Sequence, residues 1–376
     1  MSEETIYQHL QKQGVSRRDF LKLCGTLVGV MGLSVPPIQG SKLPEHLDVF
    51  EDITIQKVAR ALESKARIPV IWLEFQDCAG CSEALTRSQS PTLVNLVLNT
   101  ISVEYHETLT AAAGYQTEAN KETVMQTYSG QYVLVVEGSI PTAANGAYCT
   151  IGGRTALDLL KEAAEGAAAI ISTGNCAAFG GLPKADPNPT GAKGTWEIIT
   201  DKPVVNIPGC PAIPEVFTGT LAHFVVFGEL PELDELNRPV AFYGKTIHDR
   251  CLRRPFYEAG KFALSFDDEG AKQGWCLYKL GCKGPTTYNA CASIKWDAGL
   301  SFPVQSGHPC LGCSEPGFWD GGGFYQGQSA PLNRPSTTAV GAAVGAGAVV
   351  GAAMAAGNAA QKKRAASASE DENNQE

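Results

Sequence analysis

Short apolar runs alternate with longer mixed segments in the first two thirds of the chain. Nearly continuous apolar runs lie at 68–75, 131–138, 168–174 and 203–209, and each ends in glycine or a polar turn residue. Such runs are typical of parallel strands that are buried on both faces. The segments between them predict helices over 82–99, 117–128, 155–165 and 214–227. This alternation predicts a doubly wound α/β domain over residues 66–230.

The pattern changes after this domain. Between residues 240 and 326 the alternation stops, and cysteine, glycine and proline become frequent. A segment with few apolar runs cannot form a large core, so metal sites would have to organise it. We therefore predict a second, loop-rich domain over 240–326.

The first 40 residues predict a twin-arginine signal peptide. Arg17 and Arg18 precede Phe20, Leu21 and Lys22, and the apolar run 23–35 ends at a Pro/Gly-rich break. The run is too short to span a bilayer, and the pattern is typical of proteins exported in the folded state. The alternative is a surface arginine pair before a buried helix.

The C-terminal region predicts a membrane anchor. Residues 338–360 are uncharged and consist almost wholly of Ala, Gly and Val, a length that suits one transmembrane helix. Lys362, Lys363 and Arg364 follow at once, which places the polar tail 361–376 in the cytoplasm and the folded domains on the periplasmic side. The alternative is a flexible tail, because Ala and Gly are only weakly hydrophobic.

Composition excludes some functions and points to metal. The 376 residues carry a net charge of −9, which argues against a nucleic-acid partner bound through phosphates. The twelve cysteines are too clustered for ordinary core thiols. Three strand ends deliver cysteines to one edge of the predicted sheet, where α/β proteins bind ligands. These residues are Cys78 and Cys81, Cys176, and Cys210.

Two further sets lie in the loop-rich domain. One contains His248, Cys251, Cys276 and Cys282, and the other contains Cys291, Cys310 and Cys313. Iron–sulfur clusters need such groups of thiolates. Disulfides are possible after export, zinc could bind a Cys/His set, and one Cys-x-x-Cys could be a redox pair. Iron–sulfur clusters account for more of the cysteines than any of these alternatives.

The cysteine-bearing segments resemble the small subunit of nickel–iron hydrogenases. The similar segments are 78–83, 135–141, 207–211, 274–285 and 307–313, and the resemblance extends from about Pro69 to Tyr325. The leader and anchor further resemble the membrane-bound uptake type, in particular the hydrogenase-2-like group. The resemblance implies a flavodoxin-like sheet and an H2:acceptor oxidoreductase. In such an enzyme hydrogen is split in a large subunit, and this chain holds no catalytic residue.

The resemblance also implies which residues hold each cluster. A proximal 4Fe–4S cluster would bind Cys78, Cys81, Cys176 and Cys210; a distal 4Fe–4S cluster His248, Cys251, Cys276 and Cys282; and a medial 3Fe–4S cluster Cys291, Cys310 and Cys313. Pro303 stands where a fourth medial ligand would be. Electrons would pass to a membrane acceptor, which would be a cytochrome b or a ferredoxin-like, quinone-linked protein.

Some positions near these clusters keep two interpretations. Asp77 and Glu83 could move protons or orient the partner, or they could be ordinary carboxylates at a helix N-terminus. Gly80 and Gly181 stand where oxygen-tolerant family members carry two additional cysteines. Cys24 and Cys149 belong to no set.

Two other function classes stay open, an electron carrier without a hydrogenase partner and a hydrogen sensor.

Overall fold

A five-stranded parallel sheet forms the centre of the α/β domain. The computed structural model describes residues 4–32, 53–89, 91–322 and 324–326. The strands of this sheet are β1 (Ile68–Glu74), β2 (Ile101–His106), β3 (Val133–Glu137), β7 (Ala169–Thr173) and β9 (Val204–Ile207). Their order is β2-β1-β3-β7-β9, and every neighbouring pair is parallel. This is the flavodoxin-type order, so the predicted parallel α/β fold is confirmed.

The other strands are two residues long and form two small antiparallel ribbons. Strand β4 (Ile140–Pro141) pairs with β8 (Ala192–Lys193), and β5 (Thr150–Ile151) pairs with β6 (Arg154–Thr155). The helices of the N-terminal region and of the α/β domain are α1 (Ile6–Lys12), α2 (Arg17–Val30), α3 (Ile53–Ser64), α4 (Gly80–Leu85), α5 (Leu93–Asn95), α6 (Tyr115–Thr127), α7 (Ala156–Glu165), α8 (Gly174–Phe179), α9 (Gly181–Lys184) and α10 (Pro214–Phe227).

One predicted helix and one strand differ from the structure. The predicted helix 82–99 is wrong, because α4 ends at Leu85 and the chain becomes helical again only at Leu93. Pro91 disfavours a helical conformation in the residue before it, and Thr92 caps the new helix. Strand β2 was not predicted, because the prediction used only nearly continuous apolar runs. Residues 101–106 alternate apolar and polar side chains, which is the pattern of a half-buried strand at a sheet edge.

Residues 4–32 of the predicted leader pack on the α/β domain. The apolar face of α2 buries Phe20, Cys24 and Leu27 in the same core as residues of α3 and α10. Arg17 forms an ion pair with Glu63 of α3, with 2.7 Å between Nη1 and Oε1. This is the arrangement that the alternative interpretation, an arginine pair before a buried helix, describes. Export of the chain stays a prediction.

The region after residue 240 contains short helices and loops. The helices are α11 (Val240–Tyr243), α12 (Arg254–Glu258) and α13 (Glu269–Lys272), with 3₁₀ turns at His248–Arg250, Tyr278–Leu280 and Gly284–Thr286. A small apolar cluster that includes Ile247, Leu277 and Phe302 forms its core. Among the described residues no helix is both long and apolar enough to cross a bilayer. The predicted span 338–360 and the tail 361–376 lie outside the described residues.

Candidate iron–sulfur centres

The four predicted proximal ligands meet at the carboxyl edge of the sheet. Cys78 and Cys81 follow β1, Cys176 lies in α8 directly after β7, and Cys210 follows β9. Burial, together with the charges of the nearby Cys210 and Cys78, raises the pKa of Cys176 to about 12. Cys210 is exposed at the surface, but desolvation by the protein around it, followed by the charge of Cys313, raises its pKa to about 11. Such thiols give up their protons when iron takes the proton's place.

At two glycines the backbone passes close to these sulfurs. At Gly181, which has φ +55°, an added Cβ would lie 2.5 Å from Cys176 Sγ. At Gly174, with φ +84°, it would collide with Cys81 Sγ. Both backbones are in the left-handed region, where only glycine is unstrained. Backbone amides that lie this close to cysteine sulfurs are typical of iron–sulfur sites, so the group of four thiols fits such a cluster.

Glu137 fixes the loop that carries the first cysteine pair. This buried carboxylate ends β3, the strand between the cysteine-bearing strands β1 and β7. It accepts the N–H of Cys81 at 2.9 Å, the N–H of Ser82 at 3.1 Å and the indole N–H of Trp72 at 3.2 Å. The Ser82 hydroxyl adds a bond of 2.6 Å. Hydrogen bonds to a carboxylate are stronger than hydrogen bonds between neutral groups, so Glu137 holds the start of α4 in place.

Two further carboxylates surround this position. One oxygen each of Glu74, Asp77 and Glu137 lie within 4.8 Å of one another. Burial, followed by the charge of Glu137, raises the pKa of Glu74 to about 7. Asp77 is exposed at the surface, but desolvation by the protein around it, followed by the charge of Glu137, raises its pKa to about 6. Burial lowers the pKa of His106 to about 4. The imidazole is therefore neutral at pH 7, and its contact with Glu74 at 3.5 Å is not an ion pair.

Asp77 and Glu83 thus lie in different environments. Asp77 belongs to the carboxylate group beside the cysteine pair. Glu83 is exposed and pairs with Arg87 one helical turn further on, at 2.8 Å. A surface pair of this kind contributes little. Glu83 is therefore explained as an ordinary carboxylate near a helix N-terminus. Asp77 is not explained in this way.

The four predicted distal ligands line one cavity. His248, Cys251, Cys276 and Cys282 face it together with Leu277 and Val304. The His248 ring packs edge-on against Tyr257, with 4.9 Å between ring centroids, and burial lowers its pKa. A neutral imidazole is the form that binds a metal. The backbone N–H of Arg253 donates to Cys251 Sγ at 3.4 Å, as amides do around cluster ligands.

The three predicted medial cysteines lie together in the interior. Burial, together with the charge of the neighbouring Cys313, raises the pKa of Cys291 to about 12. Burial also raises the pKa of Cys310, which is influenced by both Cys282 and Cys313. Pro303 is exposed between the buried Phe302 and Val304. His308 donates to or accepts from the Tyr325 hydroxyl at 2.8 Å, so it has a hydrogen-bonding role near this site.

Hydrogen bonds join neighbouring sites. The side chain of Asn175, directly before the proximal Cys176, donates to the carbonyl oxygen of the medial Cys313 at 3.0 Å. The backbone N–H of Cys310, a medial residue, donates to the distal Cys282 Sγ at 3.3 Å. The three sites therefore follow one another in the order proximal, medial, distal.

The twelve cysteines all lie in the described residues, and all are free thiols. The disulfide alternative therefore has no pair in this structure. Cys24 is buried in α2, and Cys149 is half-buried.

Comparisons with known proteins identify the family of the chain. A family model for the C-terminal part of the NiFe/NiFeSe hydrogenase small subunit matches residues 243–326. A second, described as NADH ubiquinone oxidoreductase, 20 Kd subunit, matches residues 78–224. The chain is 48% identical over 322 residues to the uptake hydrogenase small subunit of Afipia carboxidovorans, covering 86% of this chain and 83% of that protein. It is 46% identical over 324 residues to the hydrogenase-1 small chain of Escherichia coli K12, covering 86% and 82%.

A solved structure has the same fold. The reduced, active Ni-Fe-Se hydrogenase from Desulfomicrobium baculatum matches with a TM-score of 0.66 and 36% identity, covering 70% of this chain and 100% of that chain. The names of the relatives do not specify a hydrogenase-2-like group, so that finer assignment stays a prediction. At this level of identity and coverage the chain belongs to the small-subunit family of nickel–iron hydrogenases, and it is the electron-transfer subunit that pairs with a large hydrogenase subunit.

Proposed function

We propose that this chain transfers electrons from hydrogen oxidation in the large subunit through three iron–sulfur clusters to a membrane acceptor. The proximal 4Fe–4S cluster is held by Cys78, Cys81, Cys176 and Cys210, the medial 3Fe–4S cluster by Cys291, Cys310 and Cys313, and the distal 4Fe–4S cluster by His248, Cys251, Cys276 and Cys282. The clusters supply one-electron redox chemistry when bound. The protein's residues supply spacing, burial and hydrogen bonds to sulfur.

The observation that carries the proposal is the connected series of three sites. The proximal site lies at the sheet edge, and the Asn175 side chain next to Cys176 donates to the carbonyl oxygen of Cys313. The medial site in turn reaches the distal one through Cys310 and Cys282. Separate structural metal sites would not require such direct links, whereas a series of electron carriers requires close neighbours.

We further propose that the enzyme works on the periplasmic face of the cell membrane. Support comes from the sequence around Arg17 and Arg18 and from the apolar segment 338–360 with the basic residues that follow it. The acceptor is then a membrane protein, either a cytochrome b or a ferredoxin-like protein that is linked to quinone.

Affinity purification in mild detergent tests the main proposal. The complex should contain a large subunit and nickel, and it should reduce a dye with hydrogen as the electron donor. A preparation with iron and sulfide but with neither nickel nor hydrogen-dependent activity would instead indicate an electron carrier without a hydrogenase partner.

A further inference from the structure

Asn175 connects the proximal site to the medial site through its side chain. It precedes Cys176 in α8 and is 2% exposed. Its Nδ2 lies 3.0 Å from the carbonyl oxygen of Cys313 and 3.1 Å from that of Glu315. Carbonyl oxygens only accept hydrogen bonds, so the two contacts fix which end of the amide points at the medial loop.

The backbone of Asn175 adds a contact on the proximal side. Its N–H donates to the carbonyl oxygen of Gly209, directly before Cys210, at 2.7 Å. One residue therefore holds the segments of Cys176, Cys210 and Cys313 together.

The far side of the medial loop is held separately. Glu315 accepts the Tyr288 N–H at 2.6 Å and pairs with Arg238 at 3.2 Å. These bonds fix the loop to its own domain, whereas Asn175 fixes it to the α/β domain. The medial–distal junction differs, because its donors are backbone N–H groups: the Lys283 N–H donates to the Cys310 carbonyl at 2.8 Å, and the Cys310 N–H donates to Cys282 Sγ at 3.3 Å.

The chemistry of the side chain suits this task. An amide NH2 has two donors and reaches two carbonyls, which the single hydroxyl proton of Ser or Thr cannot do. Asn175 Oδ1 is buried without a hydrogen-bond partner among the described residues. An unpaired buried acceptor is unfavourable, so the favourable part of this side chain is its donor end.

We propose that Asn175 is a positioning residue that fixes the separation of the proximal and medial clusters. The inference rests on the proposed cluster assignment. Electron tunnelling falls steeply with distance, so a medial loop that is free to shift would give a range of transfer rates and cluster environments. The two hydrogen bonds of Asn175 hold that loop in one position.

Asn175→Leu tests this, because leucine has nearly the same shape but no donor. Asn206→Leu is the matched control. Asn206 is fully buried in β9, its Nδ2 donates to the Leu236 carbonyl at 2.9 Å, and its Oδ1 also lacks a partner among the described residues. Both variants keep all proposed ligands and lose a buried amide, but only one contacts the medial loop.

The readouts are the electron paramagnetic resonance spectrum of the oxidised complex and the midpoint potential of its 3Fe–4S signal. We expect Asn175→Leu to broaden the signal and shift the potential, while Asn206→Leu matches the wild type. If Asn175→Leu yields no complex, Asn175→Ala is measured in its place. Wild-type spectra and potentials in the Asn175 variant would overturn the inference. A wild-type complex without any 3Fe–4S signal would instead overturn the cluster assignment on which the inference rests.

Discussion

At the scale of single residues, the buried carboxylates beside Cys78 and Cys81 dominate the electrostatics of the proximal site. Glu74 ends β1 and stands opposite Glu137 in the register of β1 and β3. The side chain is 6% exposed, and no described residue hydrogen-bonds its Oε2. An ionised carboxylate is unfavourable in this place. The site therefore holds one acid that resists losing its proton.

Glu74 gives the protein a specific pH dependence. Its pKa is about 7 in the folded protein against 4.5 in the absence of burial. The folded state binds this proton more tightly than the unfolded state does, so the contribution of Glu74 to stability falls as the pH rises from about 4.5 to about 7.

Replacing Glu74 with Gln should remove that loss. Glu74→Gln should match the wild type near pH 4 and be more stable by about 1–3 kcal/mol at pH 8. The urea concentration at which cluster absorbance is lost measures this, with the exposed Glu122→Gln as a control for net charge. A variant that is less stable than the wild type at pH 8 would show that Glu74 is needed in its ionised form.

The proximal site also predicts sensitivity to oxygen. An added Cβ at Gly80 would lie 3.1 Å from Cys78 Sγ, and one at Gly181 would lie 2.5 Å from Cys176 Sγ. These two positions therefore border the proximal ligands, and neither carries a sulfur. Without the additional cysteines of oxygen-tolerant relatives, the enzyme should lose hydrogen oxidation reversibly in air. Electrochemical current during oxygen exposure measures this, and a sustained current would contradict it.

At the scale of elements, the strands that precede the cysteines were predictable from the sequence. The side chains that hold the cysteine-bearing loops in place were not. Apolar runs locate β1, β3, β7 and β9, and the cysteines after three of them predict the shared sheet edge. The roles of Glu137 and Asn175 depend on contacts with residues 56 and 138 positions away in the chain. Local sequence patterns carry no information on such contacts.

The packing of α2 on α10 can be tested at one glycine. An added Cβ at Gly219 would collide with the carbonyl oxygen of Val30, whereas one at Gly29 would meet nothing within 4 Å. Gly219→Ala should therefore force α2 away from the domain at a cost of about 1–3 kcal/mol. Hydrogen exchange of residues 17–30 should become faster in Gly219→Ala but not in Gly29→Ala. Unchanged exchange in both variants would show that α2 is not held by this contact.

At the scale of the whole molecule, the proposed membrane attachment rests on residues outside the described part of the chain. Deleting residues 336–376 removes the apolar segment and the basic residues after it. We expect the truncated enzyme in the soluble periplasmic fraction, with dye-linked hydrogen oxidation kept and quinone-linked oxidation lost. A truncated enzyme that stays in the membrane fraction would show that another subunit provides the attachment.

The whole electron-transfer series depends on three clusters of two types. Mössbauer spectroscopy of the ⁵⁷Fe-enriched complex tests it most directly, because cubane and three-iron clusters have distinct spectra. The ligand sets predict about eight irons in 4Fe–4S clusters for every three in a 3Fe–4S cluster, together with the single iron of the large subunit. A spectrum with cubane iron alone, or with fewer than three clusters per chain, would contradict the assignment.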